Sequence, residues 1–197
     1  ERAELKYGRP PRAEATIVFR DIASNTNERT CIAAVLPPFS AAANTLTGII
    51  TNAIDPICAT TVLNSFVFDL ALRLRTAGTH VSFTYMRPMP VPSPQKCKSI
   101  CKVSTRFVHD TRLDNISEDF CLWSDLWAAN CSVAEAYGLG PADFEHILSS
   151  FPVFARKRPQ FYAYLRARLA EWAEEVGEKL VLQDYPKDES EKILARV

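Results

Sequence analysis

Between Arg87 and Pro94 the chain reads Arg87-Pro88-Met89-Pro90-Val91-Pro92-Ser93-Pro94. Prolines at alternate positions remove every second amide donor and hold φ near one value. Neither a helix nor a paired strand can run through such a segment. It must be extended, without regular pairing. It therefore marks a boundary between two parts, residues 1–94 and 95–197, which carry different patterns.

The first part alternates strand and turn signals. Residues 1–13 are polar and end in Arg9-Pro10-Pro11-Arg12, an extended lead-in. Ala15 to Arg20 is β-branched and aromatic and predicts a strand. Ser24-Asn25-Thr26-Asn27-Glu28 is a turn-rich loop. Thr30 to Leu36 predicts a second strand, stopped by Pro37-Pro38, so the pair reads as a hairpin with the polar loop at its tip. Thr45 to Thr51 predicts a third strand. Residues 57–75 lack Gly and Pro, and Ala59, Val62, Leu63, Phe66, Leu70 and Leu74 follow helical spacing. This predicts one buried helix, with Arg73 and Arg75 at the end where the dipole favours cations. Ala77-Gly78 ends it, and Val81 to Tyr85 predicts a short strand.

The second part is mainly helical. Residues 95–120 give no clear pattern. Cys121 to Tyr137 predicts a helix closed by Gly138-Leu139-Gly140. Pro141 suits the first turn of another, running to Ser150. Pro159 opens the longest helix, with Phe161, Leu165, Leu169, Trp172, Val176 and Leu180 as its apolar stripe. The last dozen residues are polar and predict fraying. The expected class is α+β: a small mixed sheet packed on a buried helix, followed by a mainly helical C-terminal part.

Of the 197 residues, 47% are hydrophobic and 23% charged, enough apolar material for a substantial core. No apolar run reaches the roughly 18 residues of a membrane span. The N-terminus is charged and carries no apolar leader, and it lacks a Met, which suits a fragment of a longer protein. The six cysteines read as reduced thiols in a cytoplasm. The formal net charge is zero, but unevenly distributed: residues 1–112 hold fourteen Lys/Arg against eight Asp/Glu. The first half is thus the side that could face a polyanion.

Four blocks in order carry a family resemblance. The first is Ile17-Val18-Phe19-Arg20-Asp21-Ile22-Ala23, then Asn27-Glu28-Arg29-Thr30, then Ile32 to Pro38. The second is Leu63-Asn64-Ser65-Phe66-Val67-Phe68-Asp69, and the third Met89-Pro90-Val91-Pro92. The fourth is Tyr137-Gly138-Leu139 with Asp143-Phe144 and Ile147-Leu148, before Phe151-Pro152. This order is similar to the C-terminal region of large bacterial adenine-N6 DNA methyltransferases, both restriction–modification enzymes of the Eco57I type and phage-defence methyltransferases. Coverage runs from about residue 14 to 155, and residues 95–130 depart from the pattern. The resemblance implies a target-recognition role on double-stranded DNA. It places S-adenosylmethionine and the flipped adenine in a catalytic domain outside this chain, joined in cis or in trans.

Such catalysis needs an Asn/Asp-Pro-Pro-Tyr/Phe loop whose polar group accepts the adenine amino protons. Leu36-Pro37-Pro38-Phe39 has the outline, but Leu36 cannot accept a hydrogen bond. Gly138-Leu139-Gly140 follows a helix and reads as a cap, not as a donor-binding turn. No catalytic residue is assigned, and whether the chain has an activity of its own is left open. His80, His109 and His146 have no motif linking them to a nucleophile. Cys97, Cys101, His109, Cys121 and Cys131 are weak zinc candidates, because the tight Cys-x2-Cys pairs of zinc sites are missing.

DNA reading needs cations for phosphates and amide or forked side chains for base edges. The hairpin tip offers Asn25, Asn27 and Arg29 beside Arg20. Arg73, Arg75, Thr79 and His80 lie around the helix end and the next turn. Arg9, Arg12, Lys96, Lys98 and Lys102 are phosphate candidates. The competing reading gives Arg20 and Arg29 to ion pairs with Asp21 and Glu28 and makes the block scaffold. Two rivals stand beside DNA recognition. One is a protein-interaction module of a defence complex that has lost DNA binding, which the zero net charge suits. The other is a cysteine- or zinc-dependent hydrolase.

Overall fold

The computed structural model describes residues 15–104 and 120–180, apart from Ala41, Ala43, Asn44, Ile50 and Asn52, and without the side chains of Val103, Ser104, Phe120 and Cys121. Three strands, β1 (Thr16–Arg20), β2 (Ala33–Leu36) and β3 (Leu46–Ile49), form a sheet in the order β2-β1-β3. The fold is α+β, with a helical C-terminal part. Both pairings are antiparallel, with Thr16 opposite Leu36 and Arg20 opposite Leu46. The expected hairpin is present, and β1 is its inner strand. Ile17 and Phe19 on it face the apolar core, and Val18, on the opposite face, is buried as well.

The long helix expected over 57–75 is two helices, α1 (Pro56–Leu63) and α2 (Phe66–Arg73). Asp55 caps α1, its Oδ1 accepting from the amides of Ile57 and Cys58 at 2.8 and 3.3 Å. Asn64 and Ser65 break the continuity because their side chains compete with the helix ladder. Ser65 Oγ donates to the Val62 carbonyl at 2.7 Å and accepts from the Phe68 amide at 3.1 Å, so it caps α2. The Asn64 amide pairs twice with the backbone of Ala33, Oδ1 accepting at 2.8 Å and Nδ2 donating at 2.9 Å. It thereby clips the edge of β2 to the helix junction.

Val81 to Tyr85 does not form the expected strand. Residues 21–23 and 79–81 pair briefly instead, through Ala23 N to Thr79 O (3.0 Å) and Val81 N to Asp21 O (2.7 Å). The chain then turns into the short α3 (Phe83–Met86), because the amides of Tyr85 and Met86 bond back to the Ser82 carbonyl. Phe83 meets Phe19 edge to face at 6.1 Å. The proline segment crosses without regular structure and buries Met89 and Pro92, and Tyr137 Oη donates to the Pro90 carbonyl at 2.7 Å.

Five further helices follow: α4 (Pro94–Ser104), α5 (Phe120–Tyr137), α6 (Pro141–Ser149), α7 (Pro152–Lys157) and α8 (Pro159–Val176). Proline opens α6, α7 and α8, where a missing amide proton costs nothing. Gly138 (φ 77°) and Gly177 (φ 72°) close α5 and α8 in the left-handed region. In each case the following amide reaches five residues back, Leu139 to Ala134 and Glu178 to Ala173, both at 2.9 Å. On α8, Phe161, Leu165 and Leu169 are buried as expected. Val176 is exposed and Ala173 takes the inward position at that level. No helix among the described residues is long and apolar enough to cross a membrane.

One contiguous apolar core runs from Ile17 and Phe19 on the sheet to Leu165 and Leu169 on α8. Asn130 on α5 is a polar tie inside it. Its Oδ1 accepts from the Phe66 amide at 2.9 Å and its Nδ2 donates to the Leu126 carbonyl at 2.8 Å. Replacing Asn130 by Ala leaves the buried first amide of α2 without a partner. The expected loss is about 1–3 kcal/mol, read from the urea midpoint at unchanged m-value.

Candidate nucleic-acid interface

The hairpin-tip loop is built by turn chemistry and then locked from beneath. Asn27 N bonds to the Ser24 carbonyl at 3.1 Å, and Thr30 Oγ1 donates to the same carbonyl at 3.1 Å. Below the loop lies Asp69 of α2, whose side chain is 0% exposed. Its carboxylate accepts from Arg29 Nε at 2.6 Å, from Arg73 Nε at 3.0 Å and from the Thr30 amide at 3.1 Å. A buried carboxylate is tolerable only with such charged and amide donors around it.

The two arginines carry the connection outward. Arg29 Nη2 donates to the carbonyls of Asn64 and Ser65 at 2.6 and 3.0 Å. Arg73 donates to the carbonyls of Asn25 (3.3 Å), Asn27 (2.7 Å) and Glu28 (2.7 Å). Each guanidinium also lies on an aromatic face, Arg29 over Phe66 at 4.4 Å and Arg73 over Phe151 at 4.1 Å. Thus the loop, the α1–α2 junction and the α6–α7 junction meet in one buried network.

This changes the standing of several DNA-contact candidates. Arg29 and Arg73, with side chains 17% and 8% exposed, serve the scaffold. Arg20 is half-buried; its Nη2 donates to the Arg29 carbonyl at 3.3 Å, and its buried Nε has no partner. The contacts differ from those expected: Glu28 pairs with Arg158 at 3.1 Å, and Asp21 Oδ2 lies within hydrogen-bond distance of His80 Nδ1 at 3.2 Å. Lys96 Nζ donates to the Ala136 carbonyl at 3.0 Å, near the C-terminal end of α5, and is used there. Arg9, Arg12 and His109 lie outside the described residues.

What remains open to solvent is sparsely charged, and it includes apolar Ile22 beside the loop and Leu74 at the end of α2, which the expected helical stripe would have buried. Asn25, Thr26 and Asn27 are exposed at the loop crest, and Arg75, Thr79 and His80 are exposed at the end of α2 and in the turn beyond it. Lys98 and Lys102 are exposed on α4. Pro37-Pro38-Phe39-Ser40 closes as a turn, Ser40 N bonding to the Pro37 carbonyl, with Phe39 at φ 62° and 70% exposed. It follows β2 at the end of the sheet away from the tip loop.

No family model matches the chain. Neither the curated proteins nor the solved structures contain a match to it.

The cysteines fall into separate surroundings. Cys58, Cys97 and Cys101 come together where α1 meets α4, while Cys131 sits among Glu135, Arg168 and Glu175. Among the described residues no three His, Cys, Asp or Glu side chains could hold a metal ion. Burial pushes the thiols of Cys31, Cys58 and Cys97 above their ordinary range, and the Asp69 charge adds to the effect at Cys31.

Sequence reasoning did not single out Asp69. The available signal was an acid in an apolar helix with an arginine four residues on. Removing the carboxylate as Asp69→Ala leaves two buried guanidinium groups unpaired. The expected cost is about 3–5 kcal/mol in equilibrium urea unfolding, against less than about 1 kcal/mol for Arg75→Ala. In thiol titration of the folded chain at pH 8, Cys31 and Cys58 should stay unmodified by an aromatic disulfide reagent. They should react once denaturant is added.

Proposed function

We propose that the chain recognises double-stranded DNA for an adenine-N6 DNA methyltransferase, with the methyl-transfer chemistry and S-adenosylmethionine held by a catalytic domain outside it. The supporting observation is the pre-shaped tip loop. Its carbonyls at 25, 27 and 28 are held inward by Arg73, while the side chains of Asn25 and Asn27 are exposed. A loop fixed before contact loses little entropy on binding, and an asparagine amide can pair with both adenine N6 and N7. Arg75 and His80 supply nearby positive or hydrogen-bonding groups, and Lys98 and Lys102 are candidates for phosphate contact. On this reading the protein acts in restriction–modification or phage defence in the cytoplasm.

The experiment is fluorescence anisotropy against a mixed-sequence duplex pool, followed by the selected duplex, at rising salt. The wild-type chain should bind with a negative log–log salt slope. Asn25→Ala with Asn27→Ala should weaken the selected duplex by about tenfold or more while leaving mixed-sequence binding nearly unchanged. Arg75→Ala should lower the slope by about one. A flat, salt-independent signal at high protein concentration counts against DNA altogether.

One observation favours a second reading, a protein-interaction module of a defence complex. Arg20, Arg29 and Arg73, three of the fourteen basic residues of the first half, are engaged inside the fold. Failure to bind any duplex, with capture of a defined protein partner, would favour it.

A further inference from the structure

The apolar interior is not filled everywhere. A cavity of about 200 Å³ lies between the sheet, α1 and the proline segment. Ile17 and Ile49 form its sheet wall, Val62 its helix wall, and Met89 part of its proline-segment wall. Interiors of this density hold few voids larger than a water molecule. A smaller apolar cavity, about 150 Å³, stays dry and admits benzene. The space here is therefore large enough for an apolar guest of that size or more.

One charged side chain lines the cavity, Arg87, and no acid does. Arg87 is both exposed and part of the lining, so it belongs to the solvent-facing rim. It makes no side-chain hydrogen bond or ion pair among the described residues. The walls near it are Met86 and Met89, side chains that adapt to irregular guests. The proline segment behind them is stiff, so the mouth keeps its shape when empty. The thiol of Cys97, also in the lining, is turned to the Pro92 carbonyl at 3.6 Å and offers the guest no free polar group.

We propose that this cavity binds a single-chain organic anion, with an aliphatic tail of about six to eight carbons inside and its anionic head on Arg87. The site is independent of the tip loop and of the DNA reading. Carboxylate and phosphate heads share the required chemistry, since guanidinium pairs with either through two parallel hydrogen bonds.

The test is isothermal titration of the folded chain with octanoate, octyl phosphate and octylamine, together with NMR contacts from the terminal methyl of bound octanoate. At least one anion should bind, and the tighter one identifies the head group. Octylamine should bind at least tenfold more weakly. The octanoate methyl should give contacts to the methyls of Met86, Met89 or Ile17. Arg87→Gln, an exposed substitution, should weaken the preferred anion about tenfold without changing Tm. Ala59→Leu, which extends a side chain into the cavity, should abolish binding with Tm held or raised. No saturable binding of either anion at millimolar concentration overturns the proposal. So does equal binding of octylamine, or contacts to residues outside the cavity.

Discussion

The carboxylate of Asp69 is the point on which the arrangement of the tip loop and the α1–α2 pair turns. It is fully buried and negatively charged, so it must be surrounded by donors. The chain supplies two guanidinium groups and an amide, drawn from the hairpin tip and from the next turn of its own helix. Because each arginine then donates to carbonyls elsewhere, one charge determines where three segments sit. Hydrophobic burial alone would allow the hairpin to slide over the helix pair. Directional bonds at 2.6–3.1 Å do not. Replacement of the group as a whole by apolar side chains of equal volume need not cost stability, since removing one partner and removing the set are different experiments.

The blocks that carry the family resemblance are largely the ones that build this network. Asn27-Glu28-Arg29-Thr30 and Asn64-Ser65-Phe66 through Asp69 face each other across it. These residues maintain the platform; under the proposed DNA-reading function, base contacts would fall to side chains at the crest such as Asn25. A scaffold shared among proteins that read different sequences would be expected to keep the platform and vary the crest. Arg29 and Arg73, two of the arginines read from the sequence as DNA contacts, are internal donors.

Several elements were legible in the sequence because their determinants are local. The hairpin followed from β-branched runs around a polar turn, and the helix limits at Pro141, Pro159 and Gly138 from fixed backbone angles. The α+β class followed from those. The break at Asn64-Ser65 was not legible. A gap-free apolar spacing outweighed two side chains whose partners are the β2 edge and the turn beneath. Val81 to Tyr85 carried strand-like residues, but partners exist only as far as Val81. For the candidate site, a scaffold role for Arg29 was one of the two readings, but with Glu28 as its partner. Neither its pairing with Asp69 nor the hold of Arg73 on the tip loop was legible. Part of the reason is that Arg29 and Asp69 are forty residues apart and nothing in local spacing joins them.

The bond from the Phe66 amide to Asn130 spans sixty-four positions of the chain. Its consequence is one of order in time. During synthesis the hairpin and α1 have their local partners as soon as they emerge, but the opening turn of α2 waits for α5. Phe151, the floor under Arg73, arrives later still. The backbone hydrogen-bond partners of the tip loop are thus complete once Arg73 has been made, whereas the ring beneath that arginine comes from late in the polypeptide.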